Sequence, residues 1–282
     1  MDDAPIGVFD SGLGGLTVAR AIIDKLPGED LIYLGDSRNT PYGTRPLAQV
    51  RDLTLAGLDT LVDKGVKMLV IACNTATAAA LHDARERYAP LGIPVLEVVT
   101  PAAQEAAAAT RNGRIGVLGT ATTVASQAYP DALAAVPGVS VWQSAAPAFV
   151  DFVERGETTG EAVTEAAHTY IAPLQEAGVD TVILGCTHYP LLTGVLSREL
   201  GPGVRLVSSS ETTANATYSR LIDLDMLHSP RVGDDSPVYR FLSTAPTEEY
   251  ASLSRRFLGP EVVAVESVPI PVQASARARV QV

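Results

Sequence analysis

The sequence contains two cysteines, Cys73 and Cys186, and each closes a short aliphatic run. Gly65-Val66-Lys67-Met68-Leu69-Val70-Ile71-Ala72-Cys73 aligns without gaps on Gly178-Val179-Asp180-Thr181-Val182-Ile183-Leu184-Gly185-Cys186, an offset of 113 residues. A second pair, Ile6-Gly7-Val8-Phe9-Asp10-Ser11 and Ile115-Gly116-Val117-Leu118-Gly119-Thr120, aligns at the nearby offset of 109. Both thiols therefore end equivalent strands in two similar halves. Ligands of open α/β sheets bind beyond the carboxyl ends of strands, so two facing halves would oppose the thiols across one cleft. A single cysteine is most often a buried small hydrophobe; equivalence within a repeat counts against that reading for this pair. A thiol facing a thiolate suits removal of a proton from one face of a carbon and delivery to the other, which is racemisation or epimerisation. The C–H bond beside a carboxylate is a very weak acid, so neighbouring acids and imidazoles must set the protonation states and donors must stabilise the carbanion. Asp10, Glu154 and His188 are candidates for that assistance.

The residues around each cysteine fit this chemistry. Cys73 precedes Asn74-Thr75-Ala76-Thr77, where Asn74 or Thr75 can cap a helix of strong helix formers. A thiol at a helix N-terminus is acidified, and the unpaired backbone N–H groups can receive a carboxylate. Cys186 precedes Thr187-His188-Tyr189-Pro190, where Pro190 suits a first helical turn and His188 can exchange a proton with the thiol. Cys186 and His188 without further ligands nearby form a weak metal signal, so no metal is expected; a Cys73–Cys186 disulfide would require near contact. Asp10-Ser11-Gly12-Leu13-Gly14-Gly15 fails as a dinucleotide fingerprint, because Thr17 stands where the third glycine is required. It reads instead as a turn that brings backbone close to a small ligand, with Asp10 and Ser11 facing the cleft. Pro41-Tyr42-Gly43 reads as a plain turn or a binding loop. Thr120, Thr122 and Thr123 offer hydroxyls at the second half's equivalent turn, where capping alone would also explain them.

These groups need a frame that repeats. Residues 6–9, 30–34, 66–72, 95–99, 115–118, 139–142, 182–184 and 204–207 read as strands. Helical stretches over 13–26, 47–64, 75–88 and 160–177 alternate with them, and an Ala-rich helix follows a Thr100-Pro101 breaker. Such alternation predicts an α/β fold with parallel strands and crossover helices. The length of 282 residues suggests two domains. Hydrophobic residues at 46% and charged residues at 19% argue against disorder. A net charge of −11 disfavours nucleic acid and anionic membranes as partners. The acidic start, Met1-Asp2-Asp3, lacks the positive region of a signal peptide, and no apolar run reaches membrane-spanning length. The expectation is a cytoplasmic protein with reduced thiols.

Taken in order, Asp10-Ser11-Gly12-x-Gly14-Gly15, Pro41-Tyr42-Gly43, Cys73-Asn74-Thr75-Ala76, Phe152-Val153-Glu154-Arg155-Gly156 and Gly185-Cys186-Thr187-His188-Tyr189-Pro190 resemble the glutamate racemases of the cofactor-independent aspartate/glutamate racemase superfamily. The resemblance runs from about residue 6 to about residue 259. It implies interconversion of L- and D-glutamate by two-cysteine proton transfer, supply of D-glutamate for peptidoglycan, no pyridoxal phosphate or other cofactor, and a homodimer. It further implies two pseudo-symmetric α/β domains, residues 1–97 with 208–267 and residues 98–207, with the active site at their interface and a C-terminal tail at 268–282. Carried over by motif, Cys73 and Cys186 exchange the proton, assisted by Asp10, His188 and Glu154. Substrate contacts fall to Asp10, Ser11, Pro41, Tyr42, Gly43, Asn74, Thr75, Thr120, Thr123, Thr187 and His188. Aspartate racemisation is the neighbouring alternative, against which Thr187-His188 weighs in the family pattern. A non-catalytic two-lobed binding protein is the alternative of another class, against which the paired thiols weigh.

Overall fold

The computed structural model describes residues 1–233, 235–245, 247–262 and 264–270. The first half runs β1 (Ile6–Asp10), α1 (Leu16–Lys25), β2 (Leu31–Gly35), α2 (Leu47–Val62), β3 (Met68–Ile71), α3 (Asn74–Tyr88) and β4 (Val95–Glu97). Helix α4 (Val99–Ala109) leads into the second half: β5 (Arg114–Gly119), α5 (Ala121–Ser126), α6 (Ala128–Leu133), β6 (Ser140–Ala145), α7 (Ala148–Arg155), α8 (Glu161–Glu176), β7 (Thr181–Gly185), α9 (Thr193–Leu200) and β8 (Arg205–Ser208). The chain then returns through α10 (Ser209–Asp223), β9 (Tyr239–Ser243), α11 (Thr247–Leu258) and β10 (Val265–Ser267).

Among the described residues the strands form two sheets, β10-β9-β2-β1-β3-β4 and β6-β5-β7-β8, with parallel pairing throughout. Each half therefore uses the same strand order, second-first-third-fourth. The register carries the repeat further. Ile6 pairs with Met68 and Ile115 pairs with Thr181, so both sequence offsets arrive at one equivalent pairing. Central strands β1, β3 and β7 are buried along their whole length, which is why they read as continuous apolar runs rather than as alternating ones. Helix α10 packs across α1 and α4, joining the two halves on one side.

Two sequence expectations change. Thr100 and Pro101 do not break the chain before the Ala-rich helix; they lie in the first turn of α4, which starts at Val99. A proline there lacks an N–H that has no intrahelical partner anyway, and the Glu97 carboxylate accepts from the N–H groups of Val99 and Thr100. The helix expected from residue 13 starts at Leu16, because residues 12–15 form the glycine turn. Of the expected tail, Val268 and Ile270 pack on the core, and the Val268 N–H donates to the Ser243 carbonyl at 2.9 Å. Residues 271–282, with the Ala-Ser-Ala-Arg-Ala-Arg segment, lie outside the described residues. No helix among the described residues is long and apolar enough to cross a membrane.

Candidate active site

Three strand ends from each sheet converge on one cavity of about 310 Å³. From the first half, β1 delivers Ser11, the loop after β2 delivers residues 40–44, and β3 delivers Cys73 with Asn74 and Thr75. From the second half, β5 delivers Thr120, β6 leads into Pro147, Val150 and Asp151, and β7 delivers Cys186, Thr187 and His188. Both cysteines are free, and both open onto this cavity.

The two thiols have different surroundings. Cys73 caps α3 with its sulfur, which accepts from the Ala76 N–H at 3.4 Å, and its S–H faces the Ser11 hydroxyl at 3.4 Å. Burial pushes the Cys73 thiol up to about 12 and the nearby Asp10 carboxylate adds to the rise, against the two hydrogen bonds. The acidification expected from the helix terminus is thus outweighed by desolvation. Cys186 Sγ lies 3.7 Å from His188 Nδ1, and His188 Nε2 lies 3.3 Å from Glu154 Oε1. Burial would lower the His188 imidazolium, but its bonds to Cys186 and Glu154 outweigh that and raise it to about 10. His188 is therefore a cation at neutral pH, held between a sulfur and a carboxylate. The ring also meets Phe257 edge-on, with centroids 5.6 Å apart.

Asp10, Thr123 and Glu154 stand behind the lining. Asp10 is buried and its Oδ2 accepts from the Gly12 N–H at 2.9 Å; burial raises its carboxyl above the usual range, opposed by the Gly15 N–H and the charge of His188. The Thr123 hydroxyl bonds to those of Thr75 and Thr120 at 3.2 and 3.0 Å, and Thr75 and Thr120 close the triangle at 3.1 Å. This triangle joins the two halves of the chain at the cavity wall. Tyr42 spends its hydroxyl on Asp36 Oδ2 at 2.7 Å, so what it offers a ligand is backbone and ring. The other expected lining residues, Ser11, Pro41, Gly43, Asn74, Thr120 and Thr187, are all brought to the cavity. Thr40, Thr44, Ala121, Pro147, Val150 and Asp151 also line it and were not expected. Thr40 and Thr44 flank the Pro41-Tyr42-Gly43 motif, which was the available signal; for Pro147, Val150 and Asp151 there was none, since α7 was not read as an element.

The glycine turn is needed for contact between the halves. A Cβ on Gly14 would overlap the Thr187 hydroxyl and the His188 ring, and one on Gly15 would overlap the Asp10 side chain. The Gly12 carbonyl accepts from both Tyr33 and Tyr250 hydroxyls, at 2.9 and 3.0 Å, which fixes the turn from below.

Residues 6–217 match the Asp/Glu/Hydantoin racemase family. The chain belongs to that family. Among curated racemases of the family, the glutamate racemase of a Parafrankia species is 56% identical over 99% of both chains. Among solved racemase structures, glutamate racemase isoform RacE1 from Bacillus anthracis superimposes with a TM-score of 0.89 at 38% identity, covering 97% of this chain and all of that one. Glutamate racemase from Francisella tularensis, solved in complex with D-glutamate, superimposes at 0.88 with 32% identity, over 96% and 99% of the two chains.

Proposed function

We infer that the protein is a glutamate racemase, an amino-acid isomerase that interconverts L- and D-glutamate. One observation carries the mechanism we propose: thiols at repeat-equivalent strand ends, one from each half, open onto a single cavity large enough for one amino acid. Lys and Arg are missing from its described lining, so the substrate carboxylates are received by neutral donors: the Ser11, Thr75, Thr120 and Thr187 hydroxyls, the Asn74 amide, and the backbone of Tyr42 and Gly43. This resolves the apparent conflict between a net charge of −11 and a dianionic substrate, because backbone N–H groups at strand–helix junctions act locally.

The proton steps follow from the protonation pattern. Cys73 is held as a thiol, and His188 is held as an imidazolium between the sulfur of Cys186 and the carboxylate of Glu154. For the enantiomer whose α-hydrogen faces Cys186, that sulfur takes the proton, the electron pair passes to the α-carbon and its carboxylate, and the Cys73 S–H delivers a proton to the opposite face. The product leaves Cys186 protonated and Cys73 as thiolate, ready for the other enantiomer. Return to the starting state moves one proton between the sites, with Asp10 beside Cys73 and His188 with Glu154 beside Cys186 as the assisting pairs. Thr123 acts through Thr75 and Thr120. In the cell, D-glutamate made in the cytoplasm feeds peptidoglycan synthesis. The residues group as one unit of 1–97 with 208–267 and a second of 98–207, assembled as a homodimer.

Purified protein given L-glutamate, and separately L-aspartate, with no added cofactor should generate the D-enantiomer from glutamate, followed by polarimetry. Turnover of aspartate alone would reassign the substrate, and turnover of neither would end the racemase reading.

A further inference from the structure

Tyr129 is buried at the second residue of α6, away from every motif that identified the site. Its hydroxyl donates to Asn74 Oδ1 at 2.7 Å, a bond that crosses from the second half of the chain to the cysteine-bearing helix terminus of the first. Its ring meanwhile rests against the end of β7: a Cβ on Gly185 would fall 2.9 Å from Tyr129 Cε2, so glycine at that position is what admits the ring beside Cys186. The phenol thus touches the structure around both cysteines without lining the cavity.

The bond decides which way the Asn74 amide faces. A carboxamide can turn over and offer either its oxygen or its NH2 group to a neighbour. Were Asn74 to present its NH2 to Tyr129, the buried phenolic proton would lose its acceptor, and an unpaired buried donor is costly. Burial and the nearby negative charge of Glu97 keep the phenol protonated. With Oδ1 committed to Tyr129, Nδ2 is left buried with no acceptor on the protein among the described residues, on a side chain that lines the cavity. A substrate carboxylate is the acceptor that chemistry supplies.

We propose that Tyr129 is a positioning residue for racemisation: by holding Asn74 Oδ1 it turns the Asn74 NH2 group toward the substrate carboxylate. The proposal rests on the racemase reading, and wild-type turnover of L-glutamate tests that reading separately. Tyr129→Phe removes one oxygen and keeps the ring packing. It should raise KM for glutamate about tenfold, the worth of one hydrogen bond to a charged group, with kcat within about threefold. Asn74→Ala should lose at least as much in kcat/KM. The decisive result is the double variant: if Tyr129 acts only through Asn74, Tyr129→Phe combined with Asn74→Ala is no worse than Asn74→Ala alone. Losses that multiply would mean Tyr129 supports the fold generally, and the proposal would fail. Asn74→Asp keeps an acceptor for the phenol but replaces the NH2 donor with a carboxyl group, so KM should rise more than tenfold. An unchanged KM in Asn74→Asp would overturn the proposal even if Tyr129→Phe proved insoluble.

Discussion

At the scale of single residues, the pair of cysteines is chemically unequal before any substrate arrives. Cys73 sits beside a carboxylate and is held as a thiol, whereas Cys186 sits beside an imidazolium. His188 carries its charge only below about 10, so kcat/KM should fall as pH rises through that value and the cation at Cys186 is lost. His188→Asn should lower kcat/KM by about 10² to 10⁴, the usual worth of a positioned acid or base, and should lack that alkaline limb. A wild-type profile rising through pH 10, or the same limb in the variant, would show that His188 is not the group responsible. The sequence exposed most residues of this kind, because cysteine, histidine and a repeat leave few equivalent choices. It did not expose that Tyr42 turns its hydroxyl to Asp36, or that Asp151 joins the lining. Those depend on where the partner side chain lies, which no local spacing encodes.

At the scale of elements, the glycine turn after β1 does what a side chain could not. Gly14 leaves room for Thr187 and His188 from the opposite half, so Gly14→Ala should displace the His188 ring. A misplacement of this kind costs about 100-fold in rate; circular dichroism should stay native while kcat/KM collapses. Near-normal turnover of Gly14→Ala would mean that the halves separate more easily than the contact suggests. A second element-scale feature lies away from the cavity, at the entry to β3. Lys67 Nζ forms a buried ion pair with Glu29 at 2.6 Å and also donates to the Asp2 carbonyl at 2.6 Å. Lys67→Met would leave the Glu29 carboxylate buried without its cation and should cost about 3–5 kcal/mol of stability in urea titrations, with KM unchanged for the folded fraction. The central strands of the repeat, β1, β3 and β7, were legible because they are buried runs. Helices α5, α6 and α7 were not read because they are six to eight residues long, too short to develop a helical period. Strands β9 and β10 were missed because they lie beyond the repeat, and β10 is only three residues long.

At the scale of the whole molecule, equivalence between the halves reaches the strand order, the register and the placement of one thiol each. That arrangement suits a reaction whose equilibrium constant is one. Because L- and D-glutamate are mirror images, kcat/KM must be equal in the two directions, and a variant at either cysteine must slow both directions alike. Cys73→Ser and Cys186→Ser test the two-thiol mechanism most directly. Each variant and the wild type should be incubated in deuterated water with L-glutamate and, separately, with D-glutamate, following α-deuteration by proton NMR and enantiomer composition together. Wild-type protein should deuterate the product of each reaction as it racemises, and each serine variant should lose at least about 10³-fold in racemisation from either enantiomer. If either variant racemised at close to the wild-type rate, one thiol would be dispensable and the two-thiol mechanism would be wrong.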